Sequence, residues 1–367
     1  MCSRSRAMPD WKKRFAASYR FMRVDRKTGL DVERLRNIRN GGSIERNQDT
    51  SYETGKIDYL GTLDLGSDLL RIYLDATFPD DTTVSEPLGT FVVSTPKRST
   101  GYNSSEADLS GRLSEVAEDE FDAPRSLAAG SNAVGEAAKL LREVGLEVIA
   151  DPSDFTLTTT WVIGAIGNGE SNYATRLKAV NALLDAAGFS SASCDPMGRV
   201  LLRRYVEPDK RAPAMVMEEG KWARFEDGGI EELDKSGVAN VVHVDYSTSD
   251  ESIRGTAIDS DPNSQYSTVT RGWRKSAKYT KSELPAGSTA AERQANANAE
   301  AATLLRTQQS AIHRLKVTHV YAPVGVSDAI EVRWPSAGIF GNFAIRKQTL
   351  TLVGGCPMEL EMRRFER

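Results

Sequence analysis

The apolar residues of this chain change their spacing twice along its length. From residue 19 to about 100, short stretches such as Tyr19–Val24 alternate polar with apolar residues, and glycine turns such as Asn40-Gly41-Gly42 separate them. The side chains of a half-buried strand point to alternate faces, so this spacing predicts strands. Further strands are predicted at Leu69–Leu74 and at Leu88–Pro96, where proline is expected to end the strand because it donates no ladder hydrogen bond. Many short strands favour a small barrel or sandwich.

A helical spacing replaces this alternation in the middle of the chain. Apolar residues recur at a period near 3.6 in Ala133–Val144 and again in Thr175–Ala187, and a glycine follows each stretch. Glycine commonly ends a helix because it tolerates the left-handed conformation. Phe189–Cys194 and the segment after Asp195-Pro196-Met197-Gly198 predict two strands joined by a tight turn. Residues 106–208 are therefore predicted to form an α/β module.

The last section begins near residue 209 and returns to strands. Val238–Tyr246 alternates as a strand does, and residues 288–311 begin with serine and are rich in alanine, which predicts one long helix. Further strands are expected at Leu315–Val320, Ala329–Trp334, Phe343–Leu352 and Met358–Phe365.

The predicted fold class is mixed β and α+β. We expect two small β-barrel tube-type domains, an α/β module between them, and a long helix before the last strands. The predicted boundaries are a basic N-terminal arm at 1–18, a first β-barrel-like domain at 19–105, the α/β module at 106–208, and a second β-barrel-like domain at 209–367 with an accessory helix at 288–311.

Composition places the chain among water-soluble proteins made in a cytoplasm. Its 367 residues with 40% hydrophobic content suffice for more than one core. The longest apolar stretch, Trp161–Ile166, is far shorter than the roughly 20 residues that span a bilayer, so we expect no membrane insertion. No apolar segment follows the N-terminal basic residues, which argues against a secretory signal. Cys2, Cys194 and Cys356 form no CxxC pair, and we expect reduced thiols.

Charge is unevenly distributed along the chain. Residues 1–40 hold twelve Lys or Arg and four Asp or Glu, so the rest of the chain carries −12 within a total of −4. A basic arm can bind nucleic acid, contact an acidic neighbour subunit or form a solvated strand face. The strand-like alternation of Tyr19–Val24 favours the last two alternatives.

Residue patterns for nucleophilic or metal catalysis are absent from the sequence. Such catalysis usually needs a histidine base, and the three histidines His243, His313 and His319 fall in or beside predicted strands without a metal-ligand spacing. Neither HExxH nor GxSxG occurs. We therefore predict no catalytic residues, no cofactor-binding residues and no metal ligands, and we expect that the protein is not an enzyme.

Two loops resemble binding loops only superficially. Gly164–Gly169 lacks the Gly-Lys-Ser/Thr ending of a phosphate loop and is simpler to explain as a turn. Asp259–Asn263 opens like a calcium loop, but Ser264 replaces the glycine at position six and Thr270 replaces the glutamate at position twelve. A polar turn is the expected structure there.

An acidic cluster leaves one hydrolase alternative open. Paired carboxylates can cleave glycosidic bonds, and their separation in space decides whether they do. Clusters of this density more often form a solvated face. The residues are Glu115, Glu118, Asp119 and Glu120.

The ordered set of segments resembles the hub family of phage tails and related contractile injection machines. No single motif is specific, and the match covers about residues 19–365. The segments that carry it are Tyr59–Leu74, Leu88–Pro96, the Ala128-Ala129-Gly130 turn with the helix that closes on Gly145, Arg176–Gly188 with the Asp195-Pro196-Met197-Gly198 hairpin, Val238–Val242, Gly255–Tyr266, and the alanine-rich helix before the closing strands.

This resemblance implies a homotrimer in which each chain supplies two similar β-barrel domains. Six such domains would form a ring that matches a hexameric tail tube or distal tail protein on one side, and a tip or spike protein would attach on the other. The tape measure protein is a further expected partner. DNA would only pass through the channel, where an acidic wall repels it. The protein would belong to the virion tail tip or baseplate and would be made in the host cytoplasm.

Other members of such machines remain alternatives. One is a distal or minor tail protein with a receptor-binding role, another is a tail-associated cell-wall hydrolase, and a third is the hub of a bacterial injection system. Many related chains continue into a peptidase or lysozyme domain, whereas this sequence ends at Arg367, which argues against wall degradation. Candidate interface anchors, each equally suited to a core, are Trp161, Trp222, Trp273 and Trp334.

Overall fold

The structure is a computed structural model whose chain forms two compact units. Unit 1 comprises Met1–Glu207, Thr318–Val326 and Arg346–Glu359, and unit 2 comprises Pro208–Val317, Ser327–Ile345 and Leu360–Arg367. The described residues are 10–48, 50, 52–97, 104–164, 175–206, 210–220, 223–226, 228–233, 237–247, 251–281, 284–310 and 313–364.

The first half of the chain holds twelve strands and three helices among the described residues. In chain order they are β1 Ala16–Val24, β2 Asp31–Leu35, β3 Ser43–Asn47, β4 Thr54–Leu60, β5 Leu69–Thr77, β6 Thr83–Lys97, β7 Ser104–Gly111, α1 Ser114–Ala117, β8 Arg125–Leu127, α2 Ala133–Arg142, β9 Val148–Ala150, β10 Trp161–Ile163, α3 Arg176–Ala186, β11 Ser193–Cys194 and β12 Val200–Leu202.

The second half contributes nine strands and two helices over the described residues. They are β13 Met215–Glu218, β14 Ile230–Leu233, β15 Val241–Ser247, β16 Ser252–Ile258, α4 Thr268–Arg271, β17 Ser276–Lys281, α5 Ala290–Ser310, β18 His313–His319, β19 Ala329–Trp334, β20 Ile339–Thr351 and β21 Met358–Arg364. The protein is therefore mostly β with few helices, as the sequence predicts.

An antiparallel sheet forms the largest part of unit 1. Its strands pair in the order β20-β3-β4-β7-β6-β5-β1-β2. Strand β5 alternates buried with partly exposed residues from Ile72 onward, which confirms the expected period of two in this part of the strand. The chain after β2 returns to β4, where the Arg39 N–H donates to the Asp58 carbonyl at 2.8 Å and the Leu60 N–H donates to the Asn37 carbonyl at 2.7 Å. The structure describes no strand pairing between β2 and β20, which stand at opposite ends of this series of strands.

The prediction for strand β6 is wrong at both ends. The strand begins at Thr83 rather than Leu88 and continues past Pro96 to Lys97. Beyond the Leu70–Phe91 pair, the pairings that the structure describes for β6 are all with β7. One edge of the strand is then free, and a residue without an N–H is tolerated there.

The predicted helices of the α/β module are confirmed. The Asn132 side chain accepts a hydrogen bond from the Gly135 N–H and begins α2, and the Thr175 side chain accepts one from the Lys178 N–H and begins α3. The two helices pack together over a core that includes Leu141, Val180 and Leu184. The predicted strand Phe189–Cys194 is shorter in the structure, because Phe189 makes only an isolated bridge to Arg204 and β11 begins at Ser193.

Unit 2 contains two groups of strands. Strand β14 pairs with β18, and β13 pairs with β19, which in turn pairs with the first half of β20. The second group is a three-stranded sheet in the order β16-β15-β17, with α5 packed on one face. Here the α5 backbone lies so close to β16 that a Cβ on Gly255 would stand 2.1 Å from the Ala297 carbonyl oxygen. Glycine is therefore required at position 255.

The segment expected as an N-terminal arm is in part packed on unit 1. Residues 1–9 lie outside the described residues, and β1 begins at Ala16. Between them, the Trp11 ring makes edge contacts with Phe15, Phe78 and Tyr321 at centroid distances of 5.1–5.6 Å. Residues 10–15 are thus held by aromatic rings of the same chain.

The two units are discontinuous in sequence, whereas the predicted domains are continuous stretches. Strand β7 runs across the expected boundary between residues 105 and 106. Thr318–Val326 and Arg346–Glu359, expected in the second barrel-like domain, belong to unit 1. Chain-terminal strands complete sheets begun much earlier, and local sequence patterns cannot show such long-range pairing.

Candidate functional site

The histidines make ordinary structural contacts. His243 Nδ1 lies 3.0 Å from Thr256 Oγ1 on the neighbouring strand, and the buried His319 ring contacts the Val320 carbonyl. The side chain of His313 lies outside the described residues. No group of three or more His, Cys, Asp or Glu side chains that could hold a metal ion occurs in the part of the chain that the structure describes.

Arginine side chains contact two members of the acidic cluster. Glu115 contacts Arg26 and Arg112, and Asp119 Oδ2 accepts a hydrogen bond from Arg176 Nε at 2.5 Å. Glu118 and Glu120 are exposed or nearly so. Each described partner is a cation that stabilises the folded chain, which is an ordinary role for surface carboxylates.

The calcium-like loop uses its oxygens to build a turn. Asp259 Oδ2 accepts hydrogen bonds from Ser264 Oγ at 2.6 Å and from Gln309 Nε2 at 2.5 Å. Asp261 Oδ1 accepts from the Asn263 N–H at 2.9 Å. These oxygens therefore do not converge on one point as calcium ligands do. In the glycine-rich loop, residues 165–170 lie outside the described residues, and only Gly164 can be placed.

The tryptophans divide between core and surface. Trp161 and Trp334 are buried, which makes them core residues rather than exposed anchors. Trp273 is 48% exposed, and the Arg271 guanidinium stands 4.7 Å from its ring centroid. Trp222 lies outside the described residues. Of the three candidate anchors that the structure describes, Trp273 is the one with an exposed ring.

A small cavity in unit 1 is lined in part by charged residues. It has a volume of about 130 Å³, and its charged lining residues are Arg26, Asp64 and Asp68. Asp68 is paired with Arg23 at 2.5 Å, and Arg26 Nε donates to the Ser67 carbonyl at 2.5 Å. Their hydrogen-bonding capacity is thus directed at the surrounding chain.

A buried arginine joins three parts of unit 1. Arg71 is 2% exposed; its Nε donates to Thr90 Oγ1 at 2.9 Å and its Nη1 to Asp31 Oδ1 at 2.7 Å. Its Nη2 donates to the carbonyls of Gly29 at 3.2 Å and Met197 at 3.1 Å. One cation therefore links the β1–β2 hairpin, β6 and the turn at residues 195–198. The sequence gives no sign of this role for Arg71, because a single arginine in an apolar strand carries no local signal of its partners.

Exposed strands and strand edges are surfaces on which another protein chain can pack or pair. In β2, Asp31–Arg34 are all exposed, and Leu30 and Val32 expose 67% and 61% of their surface. In unit 2, β17 is an end strand of its sheet. Residues 271–281 around it hold five Lys or Arg and no Asp or Glu, and this basic run can be read directly from the sequence.

The described residues include no helix that is long and apolar enough to cross a membrane.

Comparison with known proteins gives a result for structure but none for sequence. No protein-family model matches this chain, and no curated protein matches it.

Solved structures match the fold over nearly the whole chain. The tail protein from Neisseria meningitidis MC58 is 14% identical, with a TM-score of 0.64 over 94% of this chain and 96% of that chain. The 43 kDa tail protein of prophage MuSo2 from Shewanella oneidensis is 10% identical, with a TM-score of 0.65 over 95% and 98%. A chain of the half-lidded Francisella PdpA-VgrG complex is 9% identical, with a TM-score of 0.53 over 96% of this chain and 58% of that one. This chain therefore has the fold of phage tail proteins, which confirms the resemblance that its ordered segments indicate.

Proposed function

We propose that this protein is a structural hub of a phage-type tail, in which three copies join the tail tube or distal ring to the tip or spike. The observation that carries the proposal is the match to two tail proteins over 94–98% of each chain. A match over 94–95% of this chain leaves too few residues outside it for either β-rich region or the module between them to be missing.

The proposed ring relies on two β-barrel domains in each subunit. The return of residues 37–39 to β4 supports a barrel-like closure in unit 1. In unit 2, the strand series β13-β19-β20 and the β14–β18 pair supply the strands for a second barrel. Three subunits would then present six such domains to a sixfold tail tube.

The proposed partners follow from this position in the tail. They are the tail tube or distal tail protein, the tip or spike protein, and the tape measure protein, while DNA only passes through. A chain of this fold occurs in the PdpA-VgrG complex, which supports assembly of this fold with other proteins. The charge of −12 beyond residue 40 suits a channel wall that repels DNA. The location would be the virion tail, after synthesis in the host cytoplasm.

The mass of the native assembly tests the trimer. Native mass spectrometry of the full chain, alone and co-expressed with its tail-tube protein, should give a species of about three times 40.2 kDa. A hexamer would favour the distal-ring alternative. A monomer under both conditions at every concentration would contradict the hub proposal.

The proposal also includes a purely structural role without enzymatic activity. We expect no clearing when the purified protein is run on a gel that contains peptidoglycan. Clearing that persists in independently purified samples would overturn this part and favour the wall-hydrolase alternative.

A further inference from the structure

The two edges of the three-stranded sheet in unit 2 differ in what covers them. At the β16 edge, Gln294 Nε2 donates to the Arg254 carbonyl at 2.8 Å, and the Thr256 N–H donates to Asn298 Oδ1 at 3.1 Å. Gln294 and Asn298 are one turn apart on α5. Amide side chains of the helix therefore occupy hydrogen-bonding groups with which another strand would pair.

The β17 edge has no such cover among the described residues. Its strand partner is β15, in parallel register from Val241↔Ser276 to Tyr246↔Lys281. The Lys275 carbonyl accepts hydrogen bonds from the backbone N–H groups of Asn240 and Val241 at 3.0 and 3.1 Å, so its backbone faces β15. Alternate residues of a strand direct their backbone groups to opposite edges, which turns those of Ser276, Lys278 and Thr280 outward.

Basic side chains surround this open edge, and two of them already bind carboxylates. Lys278 Nζ lies 2.8 Å from Asp245 Oδ2, and Lys281 contacts Glu300. Residues 271–281 hold five Lys or Arg and no acidic residue, and the exposed Trp273 stands at the start of the run. The positive charge of this run favours an acidic partner. Because Asp245 and Glu300 already neutralise part of that charge, a partner with a moderate negative charge is favoured over a polyanion.

We propose that the outer edge of β17 binds an acidic, extended segment of a partner protein, which adds a fourth strand to this sheet. The outward N–H and carbonyl groups of Ser276, Lys278 and Thr280 would pair with the backbone of the added strand. The lysines would attract its carboxylates. This binding surface goes beyond the proposed hub function and does not depend on the trimer.

A labelled peptide tests the proposal with the full chain. The probe is a fluorescein-labelled hexapeptide in which glutamate alternates with valine, titrated by fluorescence anisotropy. We expect saturable binding that weakens as salt rises. N-methylation of alternate peptide bonds should weaken it about tenfold or more, because the methylated nitrogens can no longer donate backbone hydrogen bonds to β17. The counterpart with lysine in place of glutamate should not bind.

Variants locate the binding edge. Thr280→Pro removes an outward N–H and should weaken binding about tenfold, whereas Lys278→Gln should weaken it about threefold. The matched control is Arg254→Gln, which also removes one cation from Asp245 but at the covered edge, and it should change the affinity less than about twofold.

Three outcomes would overturn the proposal. One is equal binding of the N-methylated peptide, a test that needs no protein variant and so cannot fail through misfolding. Another is no binding of the glutamate peptide up to millimolar concentration. The third is binding of a single-stranded DNA oligonucleotide in its place, which would make the basic run a nucleic-acid surface.

Discussion

At the scale of single residues, Arg71 shows how a buried charge can organise a largely apolar sheet. Its guanidinium has two carbonyls, a hydroxyl and a carboxylate as acceptors, and burial without them would be costly. The carboxylate of Asp31 also accepts a hydrogen bond from the Tyr73 hydroxyl at 2.8 Å. This one side chain therefore helps to hold the β1–β2 hairpin, whose first strand is also paired with β5.

Replacing Arg71 by methionine should destabilise the protein by about 2–3 kcal/mol, because the change removes the donor to the Thr90 hydroxyl and to two backbone carbonyls, whereas the exposed Asp31 carboxylate can be solvated. Urea unfolding of the purified variant measures the loss. The control is Lys56→Met, which removes an exposed ion pair with Glu106 and should reduce the stability far less. Equal losses for the two variants would contradict the role given to Arg71.

Cys356 is a second residue whose environment sets its chemistry. Its side chain is fully buried, and burial raises the pKa of its thiol from 9.0 to about 11. At pH 8 roughly one thiol in a thousand is then ionised. In a Cys2→Ser, Cys194→Ser variant we expect no labelling by a thiol reagent at pH 8 until guanidinium unfolds the chain. Rapid labelling of the native variant would contradict this.

The raised pKa of Cys356 also predicts how stability depends on pH. The unfolded thiol ionises near pH 9 and the folded one near pH 11, so the unfolded state binds fewer protons between these values. The contribution to stability is complete below pH 9 and should be lost as pH rises toward 11. Comparing wild type with Cys356→Ala over this range isolates the effect.

At the scale of elements, helices were easier to predict than strands. Helices α2, α3 and α5 lie within a few residues of their predicted bounds, because a helix is stabilised by its own neighbours and caps such as Asn132 and Thr175 are local. Strands β8, β9 and β10 span three residues each, too few for any periodicity. Their existence depends on a partner strand supplied by the tertiary structure.

Because α5 packs closely on β16, the stability of the protein should depend on the glycine at position 255. Gly255→Ala should cost about 2–3 kcal/mol, because the new methyl group would meet the Ala297 carbonyl and push the helix away. Gly354→Ala is the control: its Cβ would meet nothing within 4 Å, and the change should stay within about 0.5 kcal/mol of wild type. Thermal or urea unfolding compares them, and a neutral Gly255→Ala would refute the packing argument.

At the scale of the whole molecule, unit 1 depends on residues far along the chain. Strand β3 pairs with β20 from Asn47↔Lys347 to Ser43↔Thr351. The Tyr19 hydroxyl donates to the Val353 carbonyl at 2.6 Å, and the Trp11 ring contacts Tyr321. The first 207 residues therefore lack part of their own sheet and core.

A fragment of residues 1–207 should consequently fail to unfold cooperatively, since β3 would retain only β4 as a partner. Near-ultraviolet circular dichroism and thermal melts, with the full chain as reference, test this. A sharp melt and a native-like aromatic spectrum of the fragment would show that unit 1 does not need its late segments.

The sequence alone determined the β-rich class, the three longest helices and the ordered segments that resemble tail hubs, because periodicity, caps and turn residues act over a few neighbours. It also displayed the basic run at 271–281. Only the tertiary structure decided which strands pair, where Arg71 finds its acceptors, and which edge of the β16-β15-β17 sheet stays open. Those features join residues tens to hundreds of positions apart, and the energy that selects them comes from packing and hydrogen bonds that exist only in the folded chain.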